Sequence, residues 1–499
     1  MHDSDRDTTL PAVAEWLPGD GTPGGLSLTI VFHPDLSRIG ERARIDPRGA
    51  EPGAVIGRAA PLFSRAAGAS GEPLADRHIS RRALVIEPVA DQLRLLRAPG
   101  ASRCQVLGRE LQAPVLLSVQ QLHAGVPLLL AHNVVLLLRR DETRPHADNP
   151  AVPGLLGSSA YMCSLRRQVA RAAACDLDVL VHGPTGTGKE LVASAIHCLS
   201  ARQNGPMVSV NMSAIPRELA AATLFGAARG AYTGADRNRD GYFQQAAGGS
   251  LFLDEVGDTP EGVQPQLLRA LQQREVQRVG GQVQQVDVRV ISATDAPLVG
   301  EQCSFRAALR HRLGALEILL LPLRAHPEDI GELLLYYLQQ ALEQQGKSQL
   351  LPTVHSDQVT IASWAGLFHR ALRHQWPGNV RELHNASTQI ALASETRLLL
   401  PGHLAAAWSQ AAASGKLKQT AVRRDIHDIA DEELLQVLDD CAHEIAAAAR
   451  RLGVSRQAVY RRIEASPRFR LASQVPGAEI EAVLAATDGN VAAAARRLR

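Results

Sequence analysis

The feature that most limits the fold is a short loop: Gly183, Pro184, Thr185, Gly186, Thr187, Gly188 and Lys189. It stands between the apolar run DVLVH and the helix-forming run ELVASAIH. Strand, glycine-rich turn and helix in that order is the setting in which GxxxxGK binds phosphate. The glycines let successive N–H groups curl around phosphate oxygens at a helix N-terminus, and the Lys189 ammonium reaches the outer phosphates. Glu190 occupies the place where the general motif has a hydroxyl for magnesium. Taken alone, the run is compatible with an ordinary glycine-rich strand–helix turn. A second element decides the matter. Leu251-Phe-Leu-Asp254-Glu255 reads as a buried strand ending in two acids. Asp254 at the carboxyl end can hold magnesium, directly or through water, and Glu255 can polarise the water that attacks a γ-phosphate. The pair predicts ATP and Mg2+ as cofactors.

The rest of the chain is organised around this unit. Of its 499 residues, 45% are apolar and 21% charged, a globular composition with room for several domains. A net charge of +2 excludes a chain that coats nucleic acid over its whole surface, so any such binding is local. The six cysteines contain no CxxC pair, which excludes a zinc ribbon and fits a reducing compartment. The longest apolar stretch, Val126 to Leu138, is broken by His132 and Asn133, and the N-terminus MHDSDRDTTL is unlike a secretory signal. The expectation is a cytoplasmic protein with no membrane partner.

Composition shifts give the expected boundaries. Residues 1–25 read as a flexible leader, 26–140 as a β-sandwich of short apolar strands, and 141–153 as a linker. Residues 154–326 alternate strand and helix as an α/β domain with a mainly parallel sheet, and 327–410 read as a helical lid that opens on Pro327. A second linker, 411–428, leads to a small helical tail at 429–468. Residues 469–499 partly repeat it, EIAAAARRLG recurring as NVAAAARRLR.

With these motifs in order, the central region resembles the AAA+ domain of sigma-54-dependent transcriptional activators, the bacterial enhancer-binding proteins. GPTGTGKE, SLFLDEVGD, LFGAARGAYTGA and WPGNVREL carry the likeness, and the family commonly has glutamate at the position of Glu190. The resemblance implies a multidomain chain with a AAA+ P-loop domain, a helical lid and a hexameric ring. It assigns Gly230, Ala231, Tyr232, Thr233, Gly234 and Ala235 to the loop that contacts the sigma factor, with Tyr232 where phenylalanine is usual. It makes Asn211 the switch of the catalytic glutamate and Thr294 part of the first sensor, with Asp295 in place of the usual asparagine. Arg306 and Arg312 match arginine fingers supplied by a neighbouring subunit, a task suited to a planar, permanently charged fork. Arg381 matches the second sensor on the lid.

The tail resembles the Fis-type helix-turn-helix that binds double-stranded upstream DNA. Gly453 supplies the turn and Ser455 caps a recognition helix. Arg456, Gln457 and Tyr460 would meet groove edges, and Arg461 and Arg462 phosphates. The N-terminal region resembles a forkhead-associated (FHA) domain through Ile56-Gly57-Arg58 and Leu74-Ala-Asp-Arg-His-Ile-Ser80-Arg81. That likeness implies a phosphothreonine protein ligand held by Arg58, Ser80 and Arg81, although Ala83 replaces the family histidine. The expected function is ATP-driven remodelling of closed sigma-54 RNA polymerase complexes. Two other readings remain open at this point. One is a DNA-binding regulator with a weakly hydrolysing or inert nucleotide domain; the other is a AAA+ remodeller of a different protein client.

Overall fold

The computed structural model describes residues 25–47, 53–65, 70–90, 92–141, 150–231, 237–296, 298 and 305–414, together with isolated positions from 434 to 486. The chain divides into two compact units, Met1–Ser409 and Gln410–Arg499. Among the described residues, the first holds ten strands ahead of its α/β core: β1 Gly25–Phe32, β2 Arg42–Ile45, β3 Ala54–Ile56, β4 Leu84–Val89, β5 Gln92–Arg97, β6 Cys104–Val106, β7 Arg109–Glu110, β8 Val115–Leu117, β9 Val126–Leu130 and β10 Val134–Asp141. Helix α1, Val119–Ala124, precedes β9. They form two antiparallel sheets, ordered β2-β1-β10-β9-β6-β7 and β3-β4-β5-β8. Leu28, Ile30, Leu136 and Leu138 from the first sheet and Ile56, Leu84, Ile86 and Leu95 from the second share one core. The expected β-sandwich is present, its first strand beginning at Gly25.

The α/β core follows the phosphate-loop pattern. Helix α2 (Ala160–Ala173) leads to β11 (Val179–His182), α3 (Lys189–Cys198), β12 (Met207–Asn211), α4 (Ala220–Phe225) and α5 (Tyr242–Gln245). Then come β13 (Ser250–Asp254), α6 (Gln264–Gln273), the hairpin β14 (Glu275–Gln277) and β15 (Val283–Gln285), β16 (Arg289–Thr294), α7 (Ala307–Leu313) and β17 (Leu316–Leu319). The main sheet is parallel with strand order β12-β13-β16-β11-β17. Its core strands are continuous apolar runs because helices cover both faces. Four lid helices complete the unit: α8 Ile330–Gln344, α9 Gln358–Ala371, α10 Asn379–Ala393 and α11 Gly402–Ser414.

The boundaries conceal one thing the sequence reading did not foresee. The sandwich is not a tethered module, because its outer face is buried in the lid. Side chains alternate across β1 and β10. Leu28 and Ile30 point into the sandwich, while Val31, Val135 and Leu137 join Leu334, Leu338, Phe368 and Trp364 in the lid core. Phe32 and Phe368 meet with ring centroids 5.1 Å apart.

His369 on α9 lies in this interface, 3% exposed. Burial chiefly, then the charges of Arg373 and Arg370 and the neighbouring His132, push its pKa down to about 4. The unfolded chain therefore binds this proton first. Stability from the neutral ring is complete above about pH 6.5 and is lost as pH falls towards 4, an effect of about 3 kcal/mol. Thermal unfolding of His369→Leu should show a correspondingly flatter acid limb; an unchanged limb would contradict this assignment.

In the second unit, Leu434, Gln436, Val437, Val459 and Arg462 are helical, and Leu434 and Val459 are buried. Ser455, Arg456, Gln457, Tyr460 and Arg461 lie outside the described residues, as do residues 1–24 and 142–149 of the expected leader and linker. No helix among the described residues is long and apolar enough to cross a membrane.

Candidate nucleotide site

The strand order brings the predicted site together. β11 ends at His182 and the loop turns over Gly186 and Gly188, whose φ angles of 78° and 97° only glycine adopts without strain. Space demands glycine at Gly186 as well: a Cβ there would lie 2.3 Å from the Gly378 carbonyl of the lid. The loop closes on itself through a hydrogen bond from the Thr187 hydroxyl to the Pro184 carbonyl (2.8 Å). Lys189 opens α3 with its side chain buried. Its ammonium donates to the Gly183 carbonyl at 3.0 Å and pairs with Glu255 at 3.6 Å. Glu190 and Thr185 are exposed.

Asp254 ends β13, and Glu255 follows in the left-handed region with φ 49° and ψ 50°. A non-glycine residue held there marks a site where surrounding structure imposes the backbone. Asn211 is the register partner of Asp254 on the adjacent strand, as its expected role requires. Its side-chain oxygen accepts from the N–H and hydroxyl of Ser213 (2.9 and 2.7 Å).

Thr294 is buried, and its hydroxyl is used within its own turn, accepting from the Ala296 N–H at 3.1 Å. Thr294 meets the loop only through its carbonyl, which accepts from the Gly183 N–H. Asp295 is the residue that reaches in. β16 lies between β11 and β13, so Asp295 stands between the phosphate loop and the acidic pair. Its carboxylate accepts from the Thr185 hydroxyl at 2.6 Å, and this bond holds its carboxyl below the ordinary range. The added charge is therefore accommodated by a partner and does not stand bare towards the nucleotide. Burial first pushes Glu255 upward; Lys189 opposes that, and Asp295 adds to it, leaving the carboxyl raised.

The lid docks on the loop through a residue that the sequence reading passed over. Asn379, in WPGNVREL, adopts φ 51° and is 3% exposed. Its side chain donates to the Thr185 carbonyl and accepts from the Leu323 N–H, both at 2.9 Å. Arg381 donates its backbone N–H to the Gly186 carbonyl at 3.2 Å, leaving its exposed side chain free to reach over the loop. Beside Thr187 and Gly188 lies an apolar pocket lined by Leu155, Leu156, Tyr161, Leu191, His326, Tyr337 and Val380. Its flat aromatic and aliphatic walls suit a purine. Apart from Val380 of WPGNVREL, no motif carries these residues, because they come from segments remote in sequence.

Arg312 lies elsewhere. Its guanidinium donates to the Leu271 carbonyl at 2.9 Å and lies 4.0 Å from Asp178. Asp178 precedes β11 whereas the phosphate loop follows it, so a whole strand, on the order of 13 Å, separates Arg312 from its own loop. Arg306 is exposed at the start of α7. Gly230 and Ala231 begin the expected sigma-contact loop, with Gly280 of the β14–β15 turn packed beside Ala231; Tyr232, Thr233, Gly234 and Ala235 lie outside the described residues.

On the sandwich, Arg58 donates its N–H to the Ser80 carbonyl at 3.1 Å. Gly57 fits so closely that a Cβ would come within 2.0 Å of the Arg81 carbonyl. The three expected phosphate-reading residues thus share one loop cluster.

Comparison with known proteins shows the family. The Sigma-54 interaction domain family matches residues 155–319, the AAA+ ATPase lid domain 324–421, and the Fis family of bacterial regulatory proteins 428–465. The transcriptional regulatory protein ZraR of Klebsiella oxytoca is 38% identical over 322 residues, 63% of this chain and 69% of that protein. The chain belongs to the sigma-54-dependent transcriptional activators. Another relative, the regulator NtrC of Bradyrhizobium sp. (strain RP501 Parasponia), is 42% identical over 50% of this chain and 52% of its own. A crystal structure of NtrX from Brucella abortus in complex with ATP is 30% identical, covers 63% of this chain and 69% of that one, and superposes with a TM-score of 0.42. As a member of this family the chain is a nucleotide-binding AAA+ ATPase that activates sigma-54 transcription and carries a Fis-type DNA-binding tail.

Proposed function

We propose that ATP is hydrolysed at a site shared by two protomers of a hexameric ring, and that the loop bearing Tyr232 and Thr233 delivers the work to sigma-54 polymerase. The observation that carries this reading is the position of Arg312, set a strand's length from the loop of its own chain. Loop amides and Lys189 hold the phosphates, Lys189 leaving Glu255 to do so. Asp254 and Glu255 offer hard oxygen donors, and no His/Cys/Asp/Glu cluster is present among the described residues. That donor set fits magnesium, which keeps most of its waters and relies on one or two carboxylates plus phosphates. Bound magnesium would supply charge neutralisation of the β- and γ-phosphates. Glu255, freed of its lysine, takes a proton from the attacking water; Arg306 and Arg312 of the adjoining protomer face the transferring phosphoryl group, and Arg381 reports on it from the lid. The base occupies the pocket beside Tyr161.

Open-complex formation tests the coupling. Thr233→Ala should hydrolyse ATP at near the parental rate yet fail to yield open complexes with sigma-54 polymerase; open complexes at parental yield would end the assignment of the loop. Ser455 caps the DNA-reading helix in this account, with Arg456, Gln457 and Tyr460 on bases and Arg461 and Arg462 on phosphates.

The sandwich reads as FHA-like. Ser80 Oγ accepts from the Ser102 N–H at 2.9 Å, which leaves its own hydrogen for a phosphate oxygen. The Arg58 and Arg81 guanidinium groups then supply forked, charge-assisted bonds. Fluorescence polarisation with phosphothreonine peptides should lose about tenfold or more in affinity on Arg58→Ala, since hydrogen bonds to charged groups contribute about 1.5–3 kcal/mol. Equal binding of the unphosphorylated peptides would remove the phosphate-reading role.

A further inference from the structure

The sandwich rests on the lid and on the hinge that joins lid to core. Two successive 3-10 turns, Leu323–Ala325 and Pro327–Asp329, form that hinge. Arg139 of β10 closes over both. Its guanidinium donates to the two carboxylate oxygens of Glu328 at 2.6 and 2.7 Å and to the Ala325 carbonyl at 2.9 Å. The remaining Nε–H goes to the His123 carbonyl at 2.9 Å, so the arginine is also fixed from the sandwich side. The Glu328 side chain is only 4% exposed.

Between the two gripped residues stands His326. Its ring lies 4.7 Å from that of Tyr161 in the pocket beside the phosphate loop, and its Nδ1 meets the buried Asp329 carboxylate at 2.7 Å. A second strut runs from the phosphate-reading loop: Asp76 accepts from the Asn133 side chain at 3.1 Å, and Gln358, the first residue of α9, donates to Asn133. Gly331 of α8 is packed so tightly that a Cβ would lie 2.6 Å from the Val31 carbonyl.

The lid covers part of the site through Asn379 and the pocket residues Tyr337 of α8 and Val380 of α10, and residues 323–329 join it to the core. We propose that Arg139 is a latch on this hinge, through which the N-terminal domain sets how long nucleotide stays bound. Swinging the lid pulls a buried carboxylate from the Arg139 Nη1 that both its oxygens share, a costly step because the charge is left without compensation. Any partner that displaces β10 would by the same linkage shorten nucleotide residence, and nucleotide would alter the affinity for that partner equally. Arg139 touches no nucleotide and acts as a positioning residue.

The proposal takes nucleotide binding at the loop as given. It is tested on the full chain with a fluorescent ADP analogue, by stopped-flow release into excess ADP. Arg139→Met combined with Glu328→Gln removes both charges, so neither is left buried and unpaired. Release should accelerate by about 5- to 150-fold, the range of typical coupling free energies, while the melting temperature stays near that of the parent. Arg139→Lys, which keeps the charge and loses the fork, should fall between. Gln358 is exposed, so Gln358→Ala keeps the fold while cutting the second strut, and should give a smaller acceleration. Release at the parental rate in the double variant, or in Gln358→Ala if the double variant does not fold, overturns the latch. A parent chain that fails to bind the analogue would instead refute the nucleotide assignment.

Discussion

Glu255→Gln should bind ATP with parental affinity and lose turnover by a factor of about 10²–10⁴, the usual contribution of a positioned general base. The backbone at Glu255 is held at φ 49°, aiming the carboxylate at the loop. Its pKa is raised chiefly by burial, while Lys189 at 3.6 Å restrains the rise. When phosphate takes the lysine, that restraint goes and the carboxylate becomes a stronger base at the moment water must be deprotonated. Glutamine keeps the shape and can accept the 3.4 Å bond from the Asp295 N–H, but it cannot take a proton. Phosphate release and equilibrium nucleotide titration, measured together, check this. Turnover persisting at the parental level would remove Glu255 from the mechanism. Loss of binding along with turnover would make its role structural.

Arg312→Ala should be comparably damaging, by about 10³–10⁵ in turnover, as for arginine fingers in phosphoryl transfer. Its side chain is 38% exposed, which lets the guanidinium trade the Leu271 carbonyl for phosphate oxygens. The same substitution should leave nucleotide binding to an isolated protomer intact, because Arg312 is too far from its own loop to contribute there. That split between binding and turnover separates a finger from a residue that merely holds α7 to α6.

Much of the site was legible because its signals are local. GPTGTGKE sits on one strand–loop–helix unit, and SLFLDE on one strand. What the sequence could not convey was strand order. Only the placement of β16 between β11 and β13 shows that the Asp295 side chain reaches the phosphate loop, and that Thr185 answers its charge. Asn379 was overlooked for a similar reason: its partners, Thr185 and Leu323, lie far away in the chain. One missed feature did leave a trace. Strands exposed on one face alternate apolar and polar residues, yet in this antiparallel sheet LTIVF has one polar residue, Thr29, and VVLLL has none. Such runs demand a second buried face, and the lid supplies it through Val31, Val135 and Leu137. The union of sandwich and lid was therefore present in the sequence, although its partner helices and the Arg139–Glu328 pair were not.

The central claim is that one protomer completes the catalytic site of its neighbour. It is tested most directly by mixing two inactive proteins, Lys189→Ala, which cannot hold phosphate but retains its fingers, and Arg312→Ala, which holds nucleotide but lacks one. The account predicts that ATP turnover, absent from each alone, returns on mixing and rises with total protein concentration. Two proteins that stay silent at every ratio, in assemblies shown to contain both, would contradict it.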